Sequence, residues 1–247
     1  MRLFLSIIVF ITFSYAAIYD DLFIDGNDAM IYENYSDAIQ IYESILALGY
    51  EHPDLYYNLG NAYYRLHYIG LAIWAYHNAN ELAPRDLDIK HNLSIANARM
   101  VDRIDMPESM IFLKLYRDLK SYYTLIEWLT IGSIMILLQV SYYFIFRIGL
   151  LDKRINQSFI NVIIIMTLCT HFIALDKYFQ KSNENDGVVI ANNVDAYSGP
   201  FYGENSVLFK INEGTIADIH KIQDDWVEII LIDGKKGWIP SGSIRRI

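Results

Sequence analysis

One stretch of the chain, residues 54–84, limits most strongly how it can fold. The stretch is DLYYNLGNAYYRLHYIGLAIWAYHNANELAP, in which small, aromatic and leucine residues recur at the spacing of two packed helices. Gly60, Ala72 and Ala79 provide small surfaces where two helix backbones can approach closely, and tyrosines fill the grooves between those contacts. Pro84 ends the second helix because it cannot donate an i→i−4 hydrogen bond. Residues 54–84 therefore predict an antiparallel helical hairpin.

The same stretch resembles a tetratricopeptide repeat, a helix–turn–helix unit of about 34 residues. The positions that carry the resemblance are Tyr56, Leu59, Gly60, Tyr63, Ala72, Tyr76, Ala79 and Pro84. A shift of one repeat length toward the N-terminus matches residues of the same type: Gly26 with Gly60, Ala38 with Ala72 and Tyr42 with Tyr76. The resemblance implies about two and a half repeats over residues 18–105, close to the minimum that buries a continuous core.

Tetratricopeptide arrays bind partners on a concave surface lined by their first helices, so the resemblance implies a binding face. The residues expected on it are Asn27, Tyr57, Asn58, Asn61, Tyr64, Arg65 and Asn92. Clamp-type arrays use asparagines here to hold a peptide backbone or carboxylate, but Phe23, Asp88 and Asn92 stand where their basic residues would be. We therefore expect a neutral or basic peptide rather than a C-terminal carboxylate. The alternative is that these asparagines only cap and solvate helices.

Composition and motifs argue against several classes of function. The net charge of −9 disfavours nucleic-acid binding, which selects faces rich in lysine and arginine. The single cysteine, Cys169, rules out an intrachain disulfide and a cysteine-based zinc cage. The sequence contains no G-x-S-x-G, H-E-x-x-H, P-loop or Rossmann fingerprint, and its six histidines are scattered. We therefore expect no enzymatic activity, no metal site and no cofactor.

The start of the chain predicts export. Residues 1–17 combine a charged beginning, an apolar stretch and small residues near its end, which is typical of a secretory signal peptide. An uncleaved anchor is the alternative, and it leaves the topology unchanged. In either case the segment that follows is expected to be exported, which places the repeats outside the cytoplasm.

The middle of the chain predicts membrane insertion. Residues 106–121 are expected to form an amphipathic juxtamembrane helix. Residues 122–146 and 158–176 are long and apolar enough for two transmembrane helices. The remaining segments are a cytoplasmic loop at 147–157 and a linker at 177–186. Because the signal peptide exports the repeats, both soluble regions are expected in the periplasm, on the outer face of a bacterial inner membrane.

The C-terminal region, residues 187–247, predicts a small barrel of five short strands. Asp233 and Gly234 mark a hairpin turn between two alternating runs. The pattern V-x-x-Y-S-G-P, then E-G-T, W-V, G-K-K-G-W-I and a terminal Ile resembles bacterial SH3-like domains. The resemblance implies that Trp238 and Ile239 are core residues. The residues expected to form an aromatic groove for an extended or cell-wall peptide are Tyr197, Trp226 and Pro240. A purely structural barrel is the alternative.

The predicted fold class is multidomain: an α-helical tetratricopeptide solenoid, a two-helix transmembrane hairpin and a small all-β SH3-like barrel. This order resembles the BatE-like tetratricopeptide membrane proteins of the Bat (aerotolerance) operon. The resemblance implies an envelope or oxidative-stress role, with membrane-bound von Willebrand A-domain proteins and a MoxR-type ATPase as partners, and it brings no catalytic residues. Two functions follow as hypotheses: a periplasmic scaffold for protein–protein interaction, or a peptidoglycan-binding anchor acting through the SH3-like domain.

Overall fold

The protein divides into two compact units. The computed structural model describes residues 19–102, 111–148, 157–183 and 185–247. One unit joins the described residues up to 102 with Asn185–Ile247, and the other lies within Glu108–Glu184. The signal peptide predicted for 1–17 and most of the loop predicted for 147–157 lie outside the described residues.

The first unit begins with five helices, which we call the helical part. They are α1 (19–31), α2 (Tyr35–Ala47), α3 (Pro53–Arg65), α4 (Ile69–Leu82) and α5 (Leu87–Ala98). Pro53 stands at the first position of α3, where its missing N–H costs nothing. The Asp86 carboxylate caps α5 by accepting hydrogen bonds from the backbone N–H groups of Asp88 and Ile89, at 2.9 and 3.1 Å. The hairpin predicted over residues 54–84 corresponds to α3 and α4.

Contacts between neighbouring helices recur one repeat length further along the chain. A Cβ added to Gly60 would lie 2.6 Å from Cε1 of Tyr76, so the tyrosine ring sits directly on the glycine. Gly26 lies against the ring of Tyr42 in the same way, and both tyrosines are buried. Small residues thus let aromatic rings fill the space between helix backbones, as the sequence pattern predicted.

The end of the chain forms a seven-stranded antiparallel sheet, which we call the β part, with strand order β3-β2-β6-β5-β4-β1-β7. The strands are β1 (Asp186–Val189), β2 (Val194–Tyr197), β3 (Val207–Ile211), β4 (Ile216–Gln223), β5 (Trp226–Leu231), β6 (Lys236–Pro240) and β7 (Ile244–Arg246). Five strands are expected from the sequence, and the described residues form seven because the stretches 186–197 and 207–223 each contain two strands. Gly234 has φ of +85° in the β5–β6 turn, as predicted for the Asp-Gly hairpin.

Trp238 and Ile239 are both buried, as expected, with 8% and 0% of their surface exposed. Ile239 is fully buried in the core of the sheet, together with its cross-strand partner Val227. Successive side chains of a strand point to opposite faces, so Trp238 lies on the outer face of the same strand. The Lys221 ammonium lies 5.8 Å from the centroid of the Trp238 ring.

The β part packs against the helical part within this unit. Val188 of β1 belongs to the core cluster of the helices. A Cβ added to Gly70, at the start of α4, would lie 2.6 Å from the Val189 carbonyl oxygen, so only glycine allows this close approach. The Gly70 N–H also donates to the Glu213 carboxylate at 2.8 Å, and the Asn212 N–H donates to Asp102 at 2.7 Å.

The second unit contains three helices: α6 (Ile111–Tyr122), α7 (Leu125–Arg147) and α8 (Gln157–Asn183). Two stretches, Leu125–Arg147 and Ile160–Lys181, are long and apolar enough to cross a membrane. Only 6% and 22% of their most apolar windows are buried, whereas a core helix of a soluble protein would be mostly buried. We call α7 and α8 the apolar hairpin. The helix α8 continues through residues 177–183, which the sequence analysis had assigned to a linker.

Polar groups set inside the apolar hairpin join its two helices. Gly132 of α7 allows the ring of His171 to lie against the backbone. Gln139 of α7 donates to the hydroxyl of Thr167 on α8. Such contacts favour helix association in an apolar environment, where alternative hydrogen-bond partners are scarce.

Candidate functional site

A groove of about 380 Å³ opens on the helical part, and we call it the helical groove. Its lining residues are Met30, Tyr57, Asn61, Tyr64, Arg65, Tyr76, Asn92 and Ile95. Five of the seven residues predicted for the concave face are among them: Tyr57, Asn61, Tyr64, Arg65 and Asn92. Asn27 and Asn58 do not line the groove and instead contact each other beside α2.

The asparagines form two equivalent hydrogen-bond junctions between successive helices. Oδ1 of Asn27 accepts from the Tyr42 hydroxyl at 2.7 Å and from Nδ2 of Asn58 at 2.8 Å. In the second junction, one repeat length later, Oδ1 of Asn61 accepts from the Tyr76 hydroxyl at 2.7 Å and from Nδ2 of Asn92 at 2.9 Å.

These junctions use buried tyrosine hydroxyls as donors. Burial raises the pKa of Tyr42 and of Tyr76, so both remain protonated. The asparagines thus tie the helices together, a role that neither alternative in the sequence analysis contained. A signal for this role is present in the sequence, because Asn27 and Asn61 each precede their tyrosine partner by 15 residues.

The second junction determines what the helical groove can offer a ligand. Oδ1 of Asn61 already accepts from two donors, so the groups that this side chain adds to the groove are its amide N–H donors. The Tyr57 hydroxyl accepts from Nδ2 of Asn92 at 3.1 Å, so its own proton remains available. Arg65 adds a guanidinium, which only donates. The groove is therefore rich in donors, which suit a ligand that bears carbonyl or carboxylate groups.

A second arginine, Arg99, contacts one of the residues that line the helical groove. The Arg99 guanidinium is 5.0 Å from the ring centroid of Tyr64, within the range of a cation–π contact. Met30 and Ile95 supply apolar lining beside these polar groups. The groove thus combines aromatic and apolar walls with positive charge.

A second candidate site is a cluster of rings on the outer face of the β part, which we call the aromatic patch. It consists of Tyr197, Tyr202 and Trp226, with ring centroids 4.7–5.7 Å apart. Trp226 pairs with Pro240 across β5 and β6, so the three residues predicted for the groove lie together. Tyr202 covers Trp226 and is itself 73% exposed.

Tyr202 was missed because it lies in the loop between β2 and β3, outside the alternating pattern that identifies strand residues. The signal that could have found it is the run Gly199-Pro200-Phe201-Tyr202-Gly203, in which two aromatics stand between turn residues. Ile244 is buried in the sheet core against Gly187 and contributes nothing to the patch.

An ion pair anchors the β part to the helical part. The Arg245 guanidinium donates to both carboxylate oxygens of Glu43, at 2.7 and 2.9 Å, and lies 3.5 Å from the ring centroid of Trp74. The Tyr63 hydroxyl donates to the same carboxylate at 2.6 Å. Burial alone would raise the pKa of Glu43, but the hydrogen bonds from Arg245 and Tyr63 outweigh it and hold that pKa below its usual range.

His77 of α4 is a buried titratable group outside both candidate sites. Its Nε2 atom is buried and has no hydrogen-bond partner among the residues that the structure describes. Burial lowers the pKa of His77 to about 4, so the imidazole is neutral at physiological pH. In the described part of the chain, no cluster of three or more His, Cys, Asp or Glu side chains could hold a metal ion.

Comparison with known proteins identifies one region of the chain. Residues 191–245 match the family model of the bacterial SH3 domain. The match falls within the seven-stranded sheet and confirms the predicted resemblance of this region to bacterial SH3-like domains. No curated protein matches the chain.

Proposed function

We propose that this protein is a membrane-bound scaffold in which the helical part and the SH3-like β part bind other proteins on the outer face of a bacterial inner membrane. The helical part serves as a tetratricopeptide-type array. The observation that carries the proposal is the helical groove, which is lined by the donor-bearing side chains of Tyr57, Asn61 and Arg65.

The recurrence of contacts supports the assignment of the helical part to the tetratricopeptide type. The Gly–Tyr contact and the Asn–Tyr–Asn junction each occur twice along the chain. The displacement between the two occurrences equals the length of one tetratricopeptide repeat, about 34 residues. Two chemically identical junctions at this spacing are an internal repeat in three dimensions as well as in sequence.

The contact between the helical and β parts supports a membrane topology with two spans. Residues up to 102 and residues from 185 onward belong to one compact unit, so they must lie on the same side of any membrane. An even number of crossings returns a chain to the side from which it started. The two apolar helices α7 and α8 between these segments satisfy that requirement.

The donor-rich helical groove supports an acidic segment of another protein as the ligand. Carboxylates and backbone carbonyls accept hydrogen bonds from amides, hydroxyls and guanidinium groups alike. By resemblance to the BatE-like family, the proposed partners are membrane-bound von Willebrand A-domain proteins and a MoxR-type ATPase system of an aerotolerance or envelope-stress assembly. Tethering to the same membrane would raise the effective concentration of such partners, and the role requires no catalysis.

Affinity capture with the intact protein in detergent tests this proposal. Arg65→Glu reverses a charge in the helical groove, and Lys90→Glu reverses an exposed charge on α5 outside it. We expect Arg65→Glu to release a captured von Willebrand A-domain protein and Lys90→Glu to retain it. Loss of capture in both variants, or in neither, would contradict binding in the groove.

The aromatic patch favours a second function, a peptidoglycan-binding anchor. The exposed ring of Tyr202 suits sugar and peptide surfaces, and residues 191–245 resemble a bacterial SH3 domain. Sedimentation with purified peptidoglycan tests this function. Tyr202→Ala should reduce binding, whereas Leu208→Ala, which removes an exposed side chain elsewhere on the β part, should not. Equal sedimentation of both variants and the unaltered protein would exclude a role of the patch.

A further inference from the structure

The helix α6 carries a complete apolar face that no described residue covers. Ile111, Phe112, Leu115 and Leu119 lie on one side of this helix, at the i, i+4 and i+7 or i+8 spacing. Their side chains are 69, 80, 61 and 47% exposed. We call these four residues the apolar face of α6.

The opposite side of α6 is polar and mainly basic. Lys114, Arg117 and Ser121 lie there and are exposed, together with Leu113, whereas the exposed Asp118 borders the apolar face beside Ile111. Counting Lys120, the helix carries three basic side chains and one acidic one, in a chain whose net charge is −9. A basic polar side opposite an apolar side is the pattern of helices that lie in the surface of a membrane.

A third side of α6 fixes the helix to the apolar hairpin. The Asp176 carboxylate of α8 accepts from Lys120 at 2.8 Å and from the Tyr116 hydroxyl at 2.7 Å. Trp128 of α7 donates its indole N–H to the Lys120 carbonyl at 3.3 Å. Lys177 donates to the Tyr123 carbonyl at 2.9 Å. These contacts hold α6 where the charged residues of α8 begin.

That attachment point has the composition of a membrane–water boundary. A capping box formed by Thr124 and Glu127 starts α7, with its polar atoms at the helix end. Aromatic residues, which concentrate at both membrane surfaces, surround it: Tyr116, Tyr122, Tyr123, Trp128 and Tyr178. Lipid is therefore the environment that adjoins α6 at this level, provided that α7 and α8 cross the membrane as proposed above.

We propose that α6 binds the surface of the bilayer, with its apolar face among the lipid acyl chains and Lys114 and Arg117 at the level of anionic headgroups. The exposed apolar area and the positive charge match two properties of such a surface at once. The second unit then holds the membrane through an interfacial helix as well as through its spans.

Site-specific fluorescence in nanodiscs of phosphatidylethanolamine and phosphatidylglycerol tests this proposal. The full chain carries Cys169→Ser and a single new cysteine, labelled with an environment-sensitive dye. Phe112→Cys places the dye on the apolar face, and Ser121→Cys places it on the opposite side of the same helix. Leu137→Cys, on an exposed position of α7, reports whether the apolar hairpin itself is in the membrane.

We expect lipids brominated near the headgroup to quench the dye at position 112. Aqueous iodide should quench this dye about threefold more weakly than the dye at position 121, because interfacial helices bury their apolar face about 5–10 Å deep. Equal iodide quenching at 112 and 121 would overturn the proposal. Protection of position 112 from both quenchers would also overturn it, in favour of a protein cover. If the dye at position 137 is not quenched by lipid, the membrane location fails instead.

Discussion

The contact of Arg245 with Glu43 and Trp74 gives a quantitative test of how firmly the β part is joined to the helical part. Arg245→Ala removes two charge-assisted hydrogen bonds and the stacking of the guanidinium on Trp74. Removing one partner costs about 3–5 kcal/mol for a fully buried pair and about 0–1 kcal/mol for an exposed pair. The Arg245 and Glu43 side chains are 31% and 29% exposed, so this pair lies between those limits.

We therefore expect Arg245→Ala to lower the free energy of unfolding of the first unit by about 3 kcal/mol, of which about 2 belong to the ion pair and about 1 to the stacking. With a urea dependence of about 2 kcal/mol per M, the unfolding midpoint falls by about 1.5 M. The measurement is urea unfolding of the detergent-solubilised chain, followed by tryptophan fluorescence.

Arg246→Ala is the matched control. It removes the same charge from the neighbouring residue, whose side chain is exposed. The Arg246 backbone carbonyl, which accepts from the Trp74 indole, is unchanged by this substitution. We expect a change within about 0.5 kcal/mol, as for most surface substitutions. If both variants shift the midpoint equally, net charge rather than the Arg245 contacts stabilises the interface, and the reasoning fails.

Three further predictions concern stability and pH. Gly60→Ala should destabilise by about 1–3 kcal/mol because its Cβ would lie 2.6 Å from the Tyr76 ring, whereas Gly242→Ala, with no neighbour within 4 Å, should leave the urea midpoint unchanged. Burial lowers the pKa of His77 to about 4, whereas histidine in the unfolded chain has a pKa of about 6.5. Between these two pH values the unfolded chain binds more protons than the folded one, so the free energy of unfolding should fall as pH drops toward 4. His77→Leu should reduce this pH dependence in melting curves recorded at several pH values. The pKa of Glu43 is depressed, so its ionised form stabilises the fold above the unfolded glutamate pKa of about 4.3, and this stabilisation is lost as pH falls further. Glu43→Gln should remove this loss of stability in acid. An unchanged dependence of stability on acidic pH would contradict the role given to Glu43.

The parts of the fold that the sequence predicted are those with a local period. Gly60 and Tyr76 are brought together by helices whose spacing is visible in residues 54–84. The apolar lengths of α7 and α8 and the turn at Gly234 are likewise local properties. The predicted SH3-like region rested on several short pieces in the right order, and the family match at residues 191–245 agrees with it.

The contacts that sequence reasoning missed join residues far apart in the chain. Gly70 with Glu213, Trp74 with Arg246 and Glu43 with Arg245 are separated by 143, 172 and 202 residues. Such pairs leave no period in a single sequence, because each partner is an ordinary polar or aromatic residue in its own element. The role of the asparagines was missed for a related reason: a polar residue facing a groove and one facing a neighbouring helix have the same spacing.

The interface between the helical and β parts also has a consequence for biosynthesis, because its residues are synthesised at very different times. Trp74 and Glu43 are synthesised early, but their partners Arg245 and Arg246 are made about 170–200 residues later and, at about 5–20 residues per second, emerge roughly 10–40 seconds afterwards. In the proposed topology both spans must be inserted and the C-terminal segment exported during that interval. In that topology the helical part is exported before its interface residues have their partners. A chain truncated before β7 would leave Trp74 and Glu43 exposed to proteases and chaperones.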